Sequence, residues 1–555
     1  MTGPVGGIML TPAESYADLV AGFRWQVPDF YNIAADVCDR WAAADPDRIA
    51  LIDRRTDATV VEISYRTLRE KSDRLANAFA ALGVARGDRV AILLPQMPET
   101  LYSHLATYKL AAIALPLASL FGVDALEHRL GNAGAKAIVT DRAGLEKIAA
   151  IRDRLPELQV LVTVDDPSCA PFAGVHGFDP LLERSAGQFE TTVTKADDPA
   201  LMIYTSGTTG LAKGALHAHR VLLGHLPGVE MPHEFLPQPG DRFWTPADWA
   251  WAGGLLNVLL PSLHFGIPVV AYRAAKFDPE EALALMGEMR VRNAFIPPTA
   301  LKILRTVERP RERFGLAIRS IGSGGEALGR EVYEWAQEGL GLTINEFYGQ
   351  TECNLVLSSC ARIGVSRPGA IGKPVPGHEV AIIGADGEAL PAGEKGQIAV
   401  RRPDPVMFLE YWKRPEATEQ KFAGDWMLTG DQGVMDADGY FHFVGRDDDV
   451  ITSAGYRIGP GEIEDCLIAH PAVALAAVVG KPDPVRTEIV KAYIVLKEDA
   501  EPSPELAEAI RLYVRDRLAA HEYPREVEFV EDLPMTTTGK VIRRILRDRA
   551  RGEAG

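Results

Sequence analysis

The sequence predicts an α/β protein: a large N-terminal domain of helix-covered, mainly parallel sheets with a small β-rich subdomain, followed by a small, mobile α+β C-terminal domain. Three observations predict it. Before about Gly369, short aliphatic or β-branched runs alternate with amphipathic helical stretches, the grammar of parallel sheets covered by helices. From about Gly369, short strands are broken by Gly-Ala-Asp-Gly, Pro-Ala-Gly-Glu and Asp-Ala-Asp-Gly, turn sequences whose glycines supply positive φ. After Arg446 come strand-like runs over 473–480 and 490–496, a helical stretch over 503–520 and a last strand over 527–530. We therefore divide the chain into residues 1–446, with the β-rich subdomain at about 369–445, and residues 447–555. No low-complexity linker separates them, so the junction at 445–449, about 447–449, must itself be the hinge if the two parts move.

Taken in order, 89–94 reads as a buried strand, and Pro98 opens a helix running to 111, since proline is well placed where a helix begins. Residues 126–131 read as helix and 136–140 as the next strand. The 555 residues leave ample room for a core, and 47% hydrophobic with 24% charged residues is the composition of a soluble globular protein. No apolar run approaches the roughly 18 residues of a membrane span, and the N-terminus lacks a secretory pattern. A net charge of −17 argues against a surface that coats nucleic acid, so any anionic ligand must be held by local donors. Cys38, Cys169, Cys353, Cys360 and Cys466 are scattered without metal-ligand spacing, which fits a reducing cytoplasm.

Four stretches carry chemistry. In Tyr204-Thr205-Ser206-Gly207-Thr208-Thr209-Gly210-Leu211-Ala212-Lys213-Gly214, glycines let backbone N–H groups converge, hydroxyls add donors and Lys213 adds charge. That is a polyphosphate cradle by composition, although an ordinary surface turn has the same content, and the Walker spacing is missing. In Asn345-Glu346-Phe347-Tyr348-Gly349-Gln350-Thr351-Glu352, an aromatic ring, an amide and a carboxylate at a strand end suit a nucleotide base and a magnesium ion; a loop around a buried tyrosine is the plainer alternative. The third stretch runs from Gly445-Arg446-Asp447-Asp448-Asp449 through Gly455-Tyr456-Arg457 to Glu464, and the fourth is Thr536-Thr537-Thr538-Gly539-Lys540. A lone lysine is usually a solvated charge; joint occurrence with the other three changes that.

Together, in this order and across most of the chain, these stretches resemble the adenylate-forming superfamily of acyl-CoA synthetases, peptide-synthetase adenylation domains and luciferases. The closest type is a short- or medium-chain acyl-CoA synthetase. The resemblance implies ATP and magnesium as cofactors and coenzyme A as co-substrate, with an active site between the large domain and a small lid. By the same resemblance, Thr205, Ser206, Gly207, Thr208, Thr209, Gly210 and Lys213 form the phosphate loop. Gly325, Glu326, Ala327, Glu346, Phe347, Tyr348, Gly349 and Gln350 surround the adenine, Asp431 and Arg446 hold the ribose, and Glu352 holds the metal. Lys540, Glu352, Thr351 and Arg457 are the implied catalytic residues, Asp448 the hinge, and Gly455, Tyr456 and Arg515 the coenzyme A contacts. The implied partners are a small carboxylic acid, ATP and coenzyme A, with no nucleic acid. The resemblance also allows a homo-oligomer and makes Lys540 a target for acylation, which would remove its charge.

Trp251, Ala252, Gly253, Gly324 and Gly349 fall on the implied acyl pocket. Acetate enzymes of the family close that pocket with a Trp where this chain has Gly349 and a Val where it has Gly324. Each methylene buried in the space freed is worth about 0.8 kcal/mol, so the expected acid is larger than acetate: short or medium chain, branched or aromatic. Acetate or propionate is the alternative, as is stand-alone adenylation of an amino or aryl acid. Amino-acid enzymes place an Asp four residues before the position of Trp251, where this chain has Ala247. A dinucleotide fingerprint at Gly322-Ser323-Gly324-Gly325-Glu326-Ala327 leaves the glycine-rich loop and Lys540 without a role and is set aside.

Overall fold

The computed structural model describes residues 7–205, 212–274, 276–446, 449, 451–453, 456–483, 486–498, 500–515, 517, 523–536 and 540–553, without the side chains of 452, 456, 457 and 462. Two large sheets form the N-terminal part. The eight-stranded sheet runs Glu410–Tyr411, Lys213–Ala218, Pro199–Thr205, Ile113–Pro116, Arg89–Leu93, Ala135–Thr140, Val160–Thr163 and Val175–Gly177. It is parallel except at the edge, where Lys213–Ala218 runs antiparallel to both of its neighbours. The nine-stranded sheet has a parallel centre that includes Asn345–Gln350, Ser320–Gly324, Asn293–Phe295 and Val269–Tyr272, with antiparallel strands at both ends. One apolar cluster, with Ile92, Leu101, Phe79, Leu201, Trp249, Leu256, Val269 and Phe347 among its members, joins side chains of the two sheets and the helices between them.

Helix limits follow local chemistry. The Ser64 hydroxyl accepts Thr67 N–H at 3.3 Å to cap Tyr65–Ala81, and Asp141 accepts Gly144 N–H at 2.9 Å to cap Arg142–Ala149. The helix expected to reach residue 111 is Pro98–Lys109, because Ala111 takes a φ of 54° that turns the chain into the next strand. The helix expected over 126–131 is longer, Val123–Ala133, and ends where Gly134 adopts a φ of 63°.

The β-rich part is a five-stranded sheet, Val380–Ile383, Lys395–Arg401, Trp426–Met435, Phe422–Ala423 and Phe441–Arg446, antiparallel at every pairing. The C-terminal part holds another five-stranded sheet around the long pair Val473–Asp483 and Thr487–Leu496, covered by Pro460–Ile468, Pro504–Arg515 and Arg543–Gly552. Among the described residues no helix is long and apolar enough to cross a membrane.

His217 lies in the strand Lys213–Ala218 and His219 in the turn that follows. With His225 they are buried packing groups, and loss of hydration pushes all three imidazoles down to about 3.

Candidate active site

The site forms where parallel strands of both large sheets end, the usual place for ligands in α/β folds. Thr205 pairs with Lys213 across the antiparallel strands, so the glycine-rich loop leaves and returns at one point of the sheet edge. Ser206, Gly207, Thr208, Thr209 and Gly210 lie outside the described residues. The Lys213 ammonium stands 4.8 Å from the centroid of the Tyr411 ring, and the Tyr411 hydroxyl donates to Glu352 Oε1. Tyr411 thus couples the end of the loop to Glu352, which is 7% exposed, with Thr351 half-buried beside it. Nothing in the sequence around Tyr411 marks it for this role.

On the other flank, Ser320–Gly324 and Asn345–Gln350 are parallel neighbours, with Gly324 opposite Phe347. The stretch expected at a strand end is itself a strand up to Gln350. Gly325 follows with a φ of 94°, and the Glu326 carboxylate accepts the Thr299 hydroxyl at 2.7 Å. Asp431 gathers the flank together: its Oδ2 accepts Tyr348 O–H at 2.6 Å and Gln350 Nε2–H at 2.7 Å. Arg446 Nε lies 3.8 Å from Asp431 Oδ1, and Lys421 donates to Gln350 Oε1 at 3.2 Å. Burial raises the Asp431 carboxyl above its ordinary range against the opposing pull of Tyr348, Arg446, Gln350 and Lys421. Lys421 is a second member that sequence reasoning missed.

Lys540 reaches this flank from the C-terminal part. Thr536 and Lys540 bond to each other, with Thr536 N–H donating to Lys540 O at 2.7 Å and Lys540 N–H to Thr536 Oγ1 at 3.0 Å. A Cβ on Gly325 would stand 3.4 Å from Lys540 Nζ. The residue is exposed, yet the protein around it strips enough water to lower its pKa. Arg446 lowers it further, while Glu326 and Asp431 pull it up.

Glu346, half-buried beside Asp465 of the C-terminal part, has its carboxyl pushed up to about 8, first by lost hydration and then by Asp465, against the Leu328 N–H bond. Its folded pKa exceeds the unfolded value of about 4.3, so its stabilising contribution is complete below that value and is lost as pH rises through about 8. Glu346→Gln cannot ionise. Its melting temperature should therefore gain on that of the unsubstituted protein from about pH 6 to about pH 9, and a gap that shrinks over that range would contradict the assignment.

The expectation that Gly324 and Gly349 leave open acyl room is corrected. A Cβ on Gly349 would fall 1.2 Å from Asn354 O, and one on Gly324 would meet Phe347 O at 2.4 Å and its ring at 2.5 Å. At Gly253 it would meet Phe295 at 2.8 Å. These glycines admit a backbone crossing and two aromatic rings, Phe295 and Phe347, whose centroids are 5.4 Å apart. Trp251 stands edge-on to Phe121 at 5.6 Å, with Ala252 opening a short helix.

The comparisons with known proteins decide the lineage. The model for AMP-binding enzymes matches residues 38–412, and that for the AMP-binding enzyme C-terminal domain matches 462–540. The chain belongs to the AMP-binding enzyme family. An acetyl-coenzyme A synthetase of Bacillus subtilis (strain 168) is 35% identical over 524 residues, 93% of this chain and 90% of that protein. The mitochondrial acyl-coenzyme A synthetase ACSM4 of Homo sapiens is 34% identical over 539 residues, 94% of this chain and 91% of its own. The crystal structure of the anthranilate CoA ligase AuaEII in complex with anthranoyl-AMP superimposes with a TM-score of 0.87 at 29% identity, covering 95% of this chain and 99% of that one.

The chain is thus an adenylate-forming enzyme of the acyl-CoA synthetase kind, an acid–thiol ligase. For an AMP-binding enzyme the donor set suits magnesium: Glu352 Oε1 is taken by Tyr411, and among the described residues Oε2 accepts no hydrogen bond. Of the remaining sequence expectations, Asp448 and Gly455 lie outside the described residues. Tyr456 and Arg457 are placed by backbone alone in the strand Tyr456–Ile458, and Arg515 ends the helix Pro504–Arg515, exposed.

Proposed function

We propose that the enzyme joins a carboxylic acid to coenzyme A in two half-reactions at one site. The observation that carries this reading is Lys540, delivered from the C-terminal part to the Gly325 turn beside the Asp431–Arg446 pair. In the first half-reaction a carboxylate oxygen attacks the α-phosphorus of ATP, the new P–O bond forms, and the bond to pyrophosphate breaks. Two anions meet there. Lys540, Lys213 and the loop donors supply the positive field that permits the approach, and Asp431 with Tyr348 and Arg446 fixes the nucleoside. Magnesium bound at Glu352 would neutralise phosphate charge. In the second half-reaction the lid turns about the segment at 447–449 and carries Lys540 away. Coenzyme A, its thiol proton lost to solvent, attacks the acyl carbonyl; the C–S bond forms and AMP leaves. Gly455 and Tyr456 line the approach of the thiol, and Arg515 meets a coenzyme A phosphate. Self-association and silencing of Lys540 by acylation remain part of the proposal.

The proposed acid has an apolar tail and exceeds acetate in size, within the short- or medium-chain, branched or aromatic range. Support comes from the apolar rings at or beside the expected acyl positions, Trp251 packed on Phe121 and Phe295 packed on Phe347. A second reading, acetate or propionate, is favoured by the same rings, which fill the space beside Gly253 and Gly324. The test is AMP formation with coenzyme A across acetate, propionate, butyrate, isobutyrate, octanoate and benzoate. The highest kcat/KM is expected for an acid beyond propionate; a maximum at acetate or propionate would replace the first reading by the second.

A further inference from the structure

The last helix, Arg543–Gly552, begins three residues after Lys540 and has no side-chain N-cap. A guanidinium on its first residue opposes the helix dipole, so helix stability alone does not account for arginine at 543. Arg543 is instead held by two carboxylates from elsewhere in the lid. Its Nε and Nη2 donate to Glu464 at 3.1 and 2.5 Å, a two-bonded fork, and Nη1 lies 3.5 Å from Asp449 Oδ2. Arg547, one turn on, donates to the other oxygen of Asp449. Glu464 is itself fixed by Val478 N–H at 2.8 Å. The carboxylates are only 8% and 12% exposed, so these pairs are screened far less than surface ones.

What sets this group apart is its position. Asp449 N–H donates to Arg446 O at 3.0 Å, and Arg446 pairs with Asp431. One line of contacts therefore runs from the Asp431–Arg446 pair through Asp449 to Arg543, three residues after Lys540.

We propose that Arg543, clamped by Asp449 and Glu464, is a positioning residue for adenylate formation, coupling the setting of the hinge to the placement of Lys540. The Asp449 N–H bond to Arg446 O is made in the same arrangement that sets Lys540 beside Gly325. The proposal rests on the two-half-reaction reading above.

The test uses the full chain and the acid preferred in the panel. Acid-dependent ATP–pyrophosphate exchange reports the first half-reaction, and thioester formation from coenzyme A and supplied acyl-adenylate reports the second. Arg543→Gln should lower exchange about 10- to 100-fold and leave thioester formation within about twofold. Arg543→Lys should recover most of the exchange, and Asp449→Asn should shift it in the same direction as Arg543→Gln. A role in lid stability alone would depress both half-reactions together, and that result, or unchanged exchange, would overturn the proposal. If Arg543→Gln is insoluble, Asp449→Asn decides by the same two outcomes. Absence of exchange in the unsubstituted enzyme would instead defeat the functional reading itself.

Discussion

Lys540→Ala is expected to cut acid-dependent ATP–pyrophosphate exchange by about 10²- to 10³-fold, the cost of losing one preorganised charge that meets a developing anion. Thioester formation from supplied acyl-adenylate should survive, because that step needs neither attack on a triphosphate nor a cation between two anions. Because the residue is exposed, its removal leaves no buried group unpaired, so folding should be little affected. A second signature follows from its lowered pKa. The cationic form is the working one and is lost as pH rises, so the alkaline limb of kcat/KM for exchange should fall below the ordinary lysine range. Arg446, which depresses the ammonium, sets part of that position. Equal loss of the two half-reactions would show that Lys540 serves the lid as a whole.

The sequence made this residue visible because its chemistry is local: a hydroxyl-rich turn with one lysine, a glycine-rich loop, and an aromatic–amide–carboxylate run each announce themselves over about ten residues. The alternation of strands and helices was legible for the same reason, down to a few residues at Pro98–Lys109 and Val123–Ala133. What escaped depends on distance along the chain. Tyr411 reaches Glu352 across 59 positions, and Lys421 reaches Gln350 across 71, with no spacing rule to connect them. Asp449 and Arg547 stand 98 apart. The glycines of the acyl side failed differently. An absent side chain says that something comes close, and only the fold says whether that is a ligand, a ring or a backbone.

Gly349→Ala separates those possibilities sharply. If Gly349 merely left room for the acid, one methyl group would trim the acid preference and spare ATP. Its Cβ would instead fall 1.2 Å from Asn354 O and 2.3 Å from Asn354 C, where the strands Asn345–Gln350 and Asn354–Ser358 shift register and Asn354 is already at a φ of 48°. Backbone cannot yield as a side-chain end does, so the irregular pairing must open. The neighbours on either side, Tyr348 and Gln350, are the two donors to Asp431 Oδ2. The nucleotide flank should therefore suffer first: we expect KM for ATP to rise and exchange to fall about 100-fold, with about 3 kcal/mol lost from folding stability. The ratio of octanoate to acetate activity should barely move, since both acids depend equally on the damaged flank. A variant that kept its ATP affinity and changed only that ratio would restore Gly349 to the acyl pocket and would require the Asn354 carbonyl to turn away when a side chain is present.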